Sequence, residues 1–252
     1  MDFTLSKYRA LIHAVISSEL PVYSIEAWIR HPGTRGVIIR HDVDRCPRNA
    51  LKMAKLEHEH NIHTTYYFRI KKDVFRPSLI RQIAGMGHEI GYHYEDLSAA
   101  GGNFQRAIRS FEKNLERFRE VCPVRTIAMH GKPLSGWNNL DLWNRHDPDE
   151  FDLSGDAFLS IDYSSIHYFT DTGRTWQEKK NNLRDFTQSR PNPEGINATD
   201  DLIEFIRDHP HEKIALVAHP ERWNDSFIRW FLYVIFDSAV NVIKTFIRIF
   251  RR

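Results

Sequence analysis

Four groups of polar side chains stand directly after short apolar runs in this 252-residue chain. Asp42 and Asp44 follow Val37-Ile38-Ile39. His93 and Glu95 close the run that begins at Glu89, His130 follows Thr126–Met129, and His219 follows Ile214–Ala218. In an extended chain, residues i and i+2 point the same way, so Asp42 can share a cup with Asp44, and His93 with Glu95. Carboxylates and imidazoles around one point can hold a divalent cation and leave a separate general base. Any one such group could simply end a strand. Four of them on successive strands point to chemistry.

The elements that position these residues alternate. Apolar runs at 37–39, 64–70, 89–95, 126–129 and 214–218 are separated by helical patterns at 48–60, 77–85 and 103–120. Such βα alternation predicts a largely parallel sheet whose strand ends converge on one face. The stretch from Gly131 to about Asn197 is rich in Gly, Pro, Asn and Asp and reads as long loops. Thr199-Asp200-Asp201 reads as a helix start with a hydroxyl cap. The 35 basic and 33 acidic residues nearly balance, which argues against a nucleic-acid partner. Two cysteines exclude a disulfide scaffold. The start of the chain reads as an amphipathic helix rather than a secretion signal, so the expected compartment is the cytoplasm.

Ile39-Arg40-His41-Asp42-Val43-Asp44-Arg45-Cys46-Pro47 resembles the first motif of the polysaccharide deacetylase superfamily, the NodB-homology hydrolases, in an HDVD form. Gly87-His88-Glu89-Ile90-Gly91-Tyr92-His93 resembles the second motif. Met129 to Ser135, Thr170 to Trp176 and Ala218 to Trp223 resemble a bacterial branch of the same superfamily. The resemblance spans roughly Val37 to Trp223. It implies an α/β fold, a distorted (β/α) barrel, and metal-dependent removal of an acyl group, acetyl first, from an N-acetylated sugar or polysaccharide precursor. It assigns Asp42 as general base, His219 as general acid, and Asp44 and His93 as metal ligands. Arg174 with Asp171, or Arg125, would orient the base, and Trp176 would line the acyl pocket. Leu97 stands where a further ligand histidine is usual. Glu95 is the first expectation for the third ligand, with Asp96 and His130 as alternatives; His130 otherwise contacts substrate. The implied cofactor is a divalent metal, zinc first. The alternative functions are an amidohydrolase of the same fold acting on a small-molecule C–N bond, and a silent sugar-binding member.

The catalytic domain is expected over 1–225, with an amphipathic basic helix over 226–252. On that helix Phe231, Ile235, Ala239, Val242, Phe246 and Ile249 fall on one side, opposite Asp237, Lys244, Arg248 and Arg251. The front half is expected to dock on the barrel, and the basic end to contact either a membrane surface or a protein. Tyr163, Tyr168, Trp137 and Trp143 are candidate sugar-stacking residues. His58, His60 and His63 read as a solvated helix end.

Overall fold

The structure is a computed structural model that describes residues 1–132, 135–176 and 187–250, with side chains described through residue 238. Pro133 and Leu134 of the third quoted motif lie outside the described residues, as do the side chains of Lys244 to Arg252.

The elements follow in order: α1 (Leu5–Ser17), β1 (Val22–Tyr23), α2 (Ile25–Arg30), β2 (Gly36–Val43), α3 (Pro47–Glu59), β3 (Thr65–Phe68), α4 (Pro77–Gly85), β4 (Glu89–Tyr94), α5 (Asp96–Ala99) and α6 (Phe104–Arg119). Then come β5 (Thr126–Met129), β6 (Gly155–Asp156), β7 (His167–Thr170), α7 (Thr199–Asp208), β8 (Lys213–Ala218) and α8 (Phe227–Phe250). All strand pairs are parallel, in the order β6-β5-β4-β3-β2-β8-β7, with β1 alongside β2. Every residue of β2 is buried, as expected of a central parallel strand covered on both faces.

The sheet curls into an open (β/α) barrel. Its concave side holds Ile38, Tyr67, Ala128, Tyr168, Ala215 and Val217, closed below by Ile25 and Trp28 of α2. Its convex side carries two separate cores, one under α1 and α7 and one under α4 and α6. Among the described residues no ladder joins β6 to β7. Ala157, Ile161, Tyr163 and Ile166 instead fill that side of the interior. Gly91 leaves no room for a side chain: a Cβ there would lie 2.1 Å from the Tyr67 ring and 2.8 Å from the Thr126 carbonyl oxygen.

Three expectations need correction. The stretch from 131 to 197 contains two strands, β6 and β7, besides 3-10 turns. Thr199 is the first residue of α7 rather than its cap. Asp201 reaches back to the Asn197 and Ala198 amides, and the Asp2 carboxylate accepts from the Thr199 amide. The front of α8 docks through Trp230, Tyr233 and Asp237, not through Phe231 and Ile235. Trp230 donates to the Asp2 carbonyl, Tyr233 lies 2.7 Å from Cys46 Sγ, and Asp237 accepts from Arg174.

Candidate metal centre and active site

Because the sheet is parallel, the ends of β2, β4, β5 and β8 form one rim. Asp44, just past β2, His93 in β4 and His130, just past β5, meet there. Asp44 Oδ1 lies 3.1 Å from His130 Nδ1 and 3.4 Å from His93 Nε2. One donor atom from each of the three residues fits within 4.8 Å of the others.

Two observations fit a divalent cation. His93 Nδ1 donates to the Ala128 carbonyl at 3.0 Å, which leaves the Nε2 lone pair facing Asp44. Asp44 Oδ1 is buried and has no hydrogen-bond partner despite its two near imidazoles. Burial opposes ionisation of Asp44, but His130 and His93 outweigh it and hold the carboxyl well below the usual carboxylate range. A carboxylate and two imidazoles with donor atoms this close together are the donor set of a zinc-type site.

Glu95 stands apart from this group. The strand ends at Tyr94, and Glu95 turns away with φ −140° and ψ 25° as the cap of α5. It is tied to Arg69 at 2.7 Å and Lys71 at 3.1 Å. Asp96 accepts from Tyr92, Ser110 and Asn114. Of the three alternatives for the third position, the structure brings only His130 to Asp44 and His93.

Asp42 lies inside the barrel two residues before Asp44 and is 4% exposed. Its Oδ2 is 3.4 Å from Arg40 Nη2, and its Oδ1 has no hydrogen-bond partner. Arg40 is itself buried, donates to the Tyr168 hydroxyl at 3.1 Å and lies over the Phe158 ring. Parity along β2 puts Arg40 and Asp42 on one face, a signal present in Arg40-His41-Asp42 that the motif reading passed over. Neither arginine expected to orient the base reaches it. Arg125 pairs with the exposed Asp152 at 2.6 Å, and Arg174 pairs with Asp237 at 2.9 Å.

His219, just past β8, is anchored by Asp171. His219 Nδ1 donates to Asp171 Oδ1 at 2.6 Å, and its amide donates to Oδ2 at 2.8 Å. Arg222 and Trp223 complete the carboxylate's shell at 2.7 and 2.8 Å. Burial raises the Asp171 carboxyl, but Arg222 and His219 outweigh it and bring it down to about 2. Burial and Arg222 lower the His219 imidazole, yet the carboxylates of Asp171 and Asp44 leave it raised. Asp171, expected with Arg174 to orient the base, thus holds a histidine. Trp176, expected in the acyl pocket, is 1% exposed, donates to Thr199 and packs against Trp223. Tyr163 and Tyr168 are buried inside the barrel; Trp137 remains exposed.

No protein-family model and no curated protein matches the chain. Among solved structures, it is similar to a mutant of a CE4-family pseudoenzyme with restored enzymatic activity. The two are 14% identical with a TM-score of 0.44, over 83% of this chain and 64% of that one. This chain therefore spans just under two thirds of that structure's length, and the likeness is remote.

Proposed function

We propose that this chain is a metal-dependent hydrolase that removes an acyl group from the nitrogen of an N-acylated sugar. The observation that carries the reading is one rim with three separate devices: a cation-ready triad, a buried carboxylate beside an arginine, and a histidine held by a carboxylate. The residues that would hold the cation are Asp44, His93 and His130. When bound, a divalent cation polarises the acyl carbonyl and makes a water molecule acidic.

Asp42 is the base. Arg40 on one side fixes the carboxylate, and its free Oδ1 can accept the proton of the attacking water. His219 is the acid. Asp171 fixes the Nδ1–H tautomer and favours the imidazolium, so Nε2 can protonate the departing amine. Zinc suits the His-and-carboxylate set. The test is acetate release from chitin oligosaccharides with and without added Zn2+. Metal-dependent release that is lost in Asp42→Asn supports the reading. Sugar binding without turnover, with metal bound, overturns it.

We propose separately that α8 rests on a lipid surface. Phe227, Ile228, Phe231, Leu232 and Ile235 form one outward apolar face of α8, each 49–71% exposed. After Asp237 the sequence carries Lys244, Arg248, Arg251 and Arg252 and no acid. An apolar face followed by unopposed positive charge suits an interfacial helix on anionic lipid. Among the described residues, no helix is long and apolar enough to cross a membrane.

A further inference from the structure

A cavity of about 590 Å3 opens beside the rim, between the starts of α3 and α4 and the root of α8. Three arginines from three elements line it: Arg48 of α3, Arg76 before α4, and Arg229 of α8. None of the three guanidinium groups has an ion pair or hydrogen bond among the described residues. Asp73 is a carboxylate in the same lining, so positive charge exceeds negative by two. Neither helix start has a side-chain cap, and neither carries an acid in its first turn. Both helix dipoles therefore add to the arginine field instead of being cancelled.

We infer that this cavity binds the phosphate or diphosphate group of a sugar substrate. Arginine forks match phosphate oxygens in pairs, and three exposed forks lining one cavity are free to close on an anion that enters it. The volume lies in the range of small-molecule sites, well above what a lone inorganic ion needs. Its wall begins at Cys46, two residues after Asp44. Two peptide steps span at most about 7.6 Å between Cα atoms, so the cavity adjoins the cation triad. A sugar at the triad would thus leave its anomeric phosphate facing the arginines. This placement of the sugar rests on the deacylase reading above; the anion site itself does not. The rest of the substrate is either a nucleotide or a lipid, since both carry sugars on a diphosphate. Tyr233, from α8, also lines the cavity, and Phe231, Leu232 and Ile235 of the same turns belong to the exposed apolar face.

Isothermal titration of the full chain with inorganic pyrophosphate tests this. The wild type should bind, and Arg48→Ala, Arg76→Ala and Arg229→Ala should each weaken binding by about tenfold. Lysine at the same positions should recover part of the loss, which separates charge from misfolding. Asp44→Ala should bind pyrophosphate as the wild type does, which separates this site from the metal centre. Uridine diphosphate and farnesyl diphosphate distinguish the sources: the one that binds more tightly than pyrophosphate identifies the substrate's other end. No binding at millimolar pyrophosphate overturns the proposal. So does equal binding by the arginine variants, or weaker binding of both organic diphosphates than of pyrophosphate. If acetate release fails while arginine-dependent binding persists, the deacylase reading falls and the anion site stands.

Discussion

Replacing Asp171 with Asn keeps the size of the side chain and removes its charge. Each carboxylate oxygen now accepts two donors: His219 Nδ1 and Arg222 on Oδ1, and the His219 amide and Trp223 on Oδ2. An amide can present its oxygen to only one pair, and its NH2 must face the other. Two hydrogen bonds are lost in either orientation, and the buried Arg222 loses its nearest negative charge. The difference between the ordinary carboxyl value of 3.8 and about 2 corresponds to about 2 kcal/mol of stability. A lowered carboxyl contributes above its unfolded value and loses that contribution as pH falls through the folded one. Wild-type stability should therefore drop between pH 4 and pH 2 by about that amount, and Asp171→Asn should flatten this step. The raised His219 imidazole has the opposite sign: its contribution is present below about 6.5 and fades as pH rises through its folded value. In catalysis the loss should be larger. Without Asp171 the imidazolium loses the charge that favours it, and the tautomer is no longer fixed. Turnover should fall by ~10²–10⁴-fold, and the alkaline limb of the pH–rate profile should move to lower pH. Urea melts across pH, with pH profiles of acetate release, measure both effects. An Asp171→Asn protein with unchanged turnover and an unmoved alkaline limb would refute the role given to the pair.

Other outcomes follow from the same geometry. His130→Ala should lower zinc stoichiometry measured by elemental analysis, and Glu95→Ala should leave it unchanged. Arg40→Met should leave Asp42 buried without its ion-pair partner, cutting turnover while zinc content holds, as read by parallel rate and metal assays. Gly91→Ala forces a methyl into the Tyr67 ring and should cost about 1–3 kcal/mol, seen as a Tm several degrees lower. Phe231→Asp with Ile235→Asp should weaken sedimentation with phosphatidylglycerol vesicles by an order of magnitude, with the barrel's Tm unchanged; equal sedimentation would refute the lipid surface.

Strong local periodicity made much of the barrel legible. β2, β4, β5 and β8 are apolar runs with polar ends, and α3, α4 and α6 carry their own start signals in Pro47, Pro77 and Asn103. β6 and β7 were hidden because each is short and embedded in turn-forming residues; β7 exists by pairing with β8, whose partner residues lie 47 positions on. Parity reached Asp42 with Asp44 because the backbone stays extended through Val43. It failed for Glu95 because the chain turns after Tyr94 and carries that carboxylate to Arg69. Arg174 adopts φ 57° in a turn and meets Asp237 of α8, 63 residues away, a pairing no local pattern encodes. The outward apolar face of α8 has the same cause. The wheel shows two faces, and Arg174 and Arg222 on the barrel, with the Asp2 carbonyl and Cys46, decide that the Asp237 side turns inward.

The most direct test of the central claim is anomalous diffraction at the zinc edge from crystals grown with Zn2+. The account predicts one strong peak bonded to Asp44, His93 and His130 at about 2.0–2.2 Å. Asp42, Glu95 and His219 should lie outside that shell. A peak on Glu95 instead of His130, or no peak at the Asp44 carboxylate under saturating zinc, would contradict it.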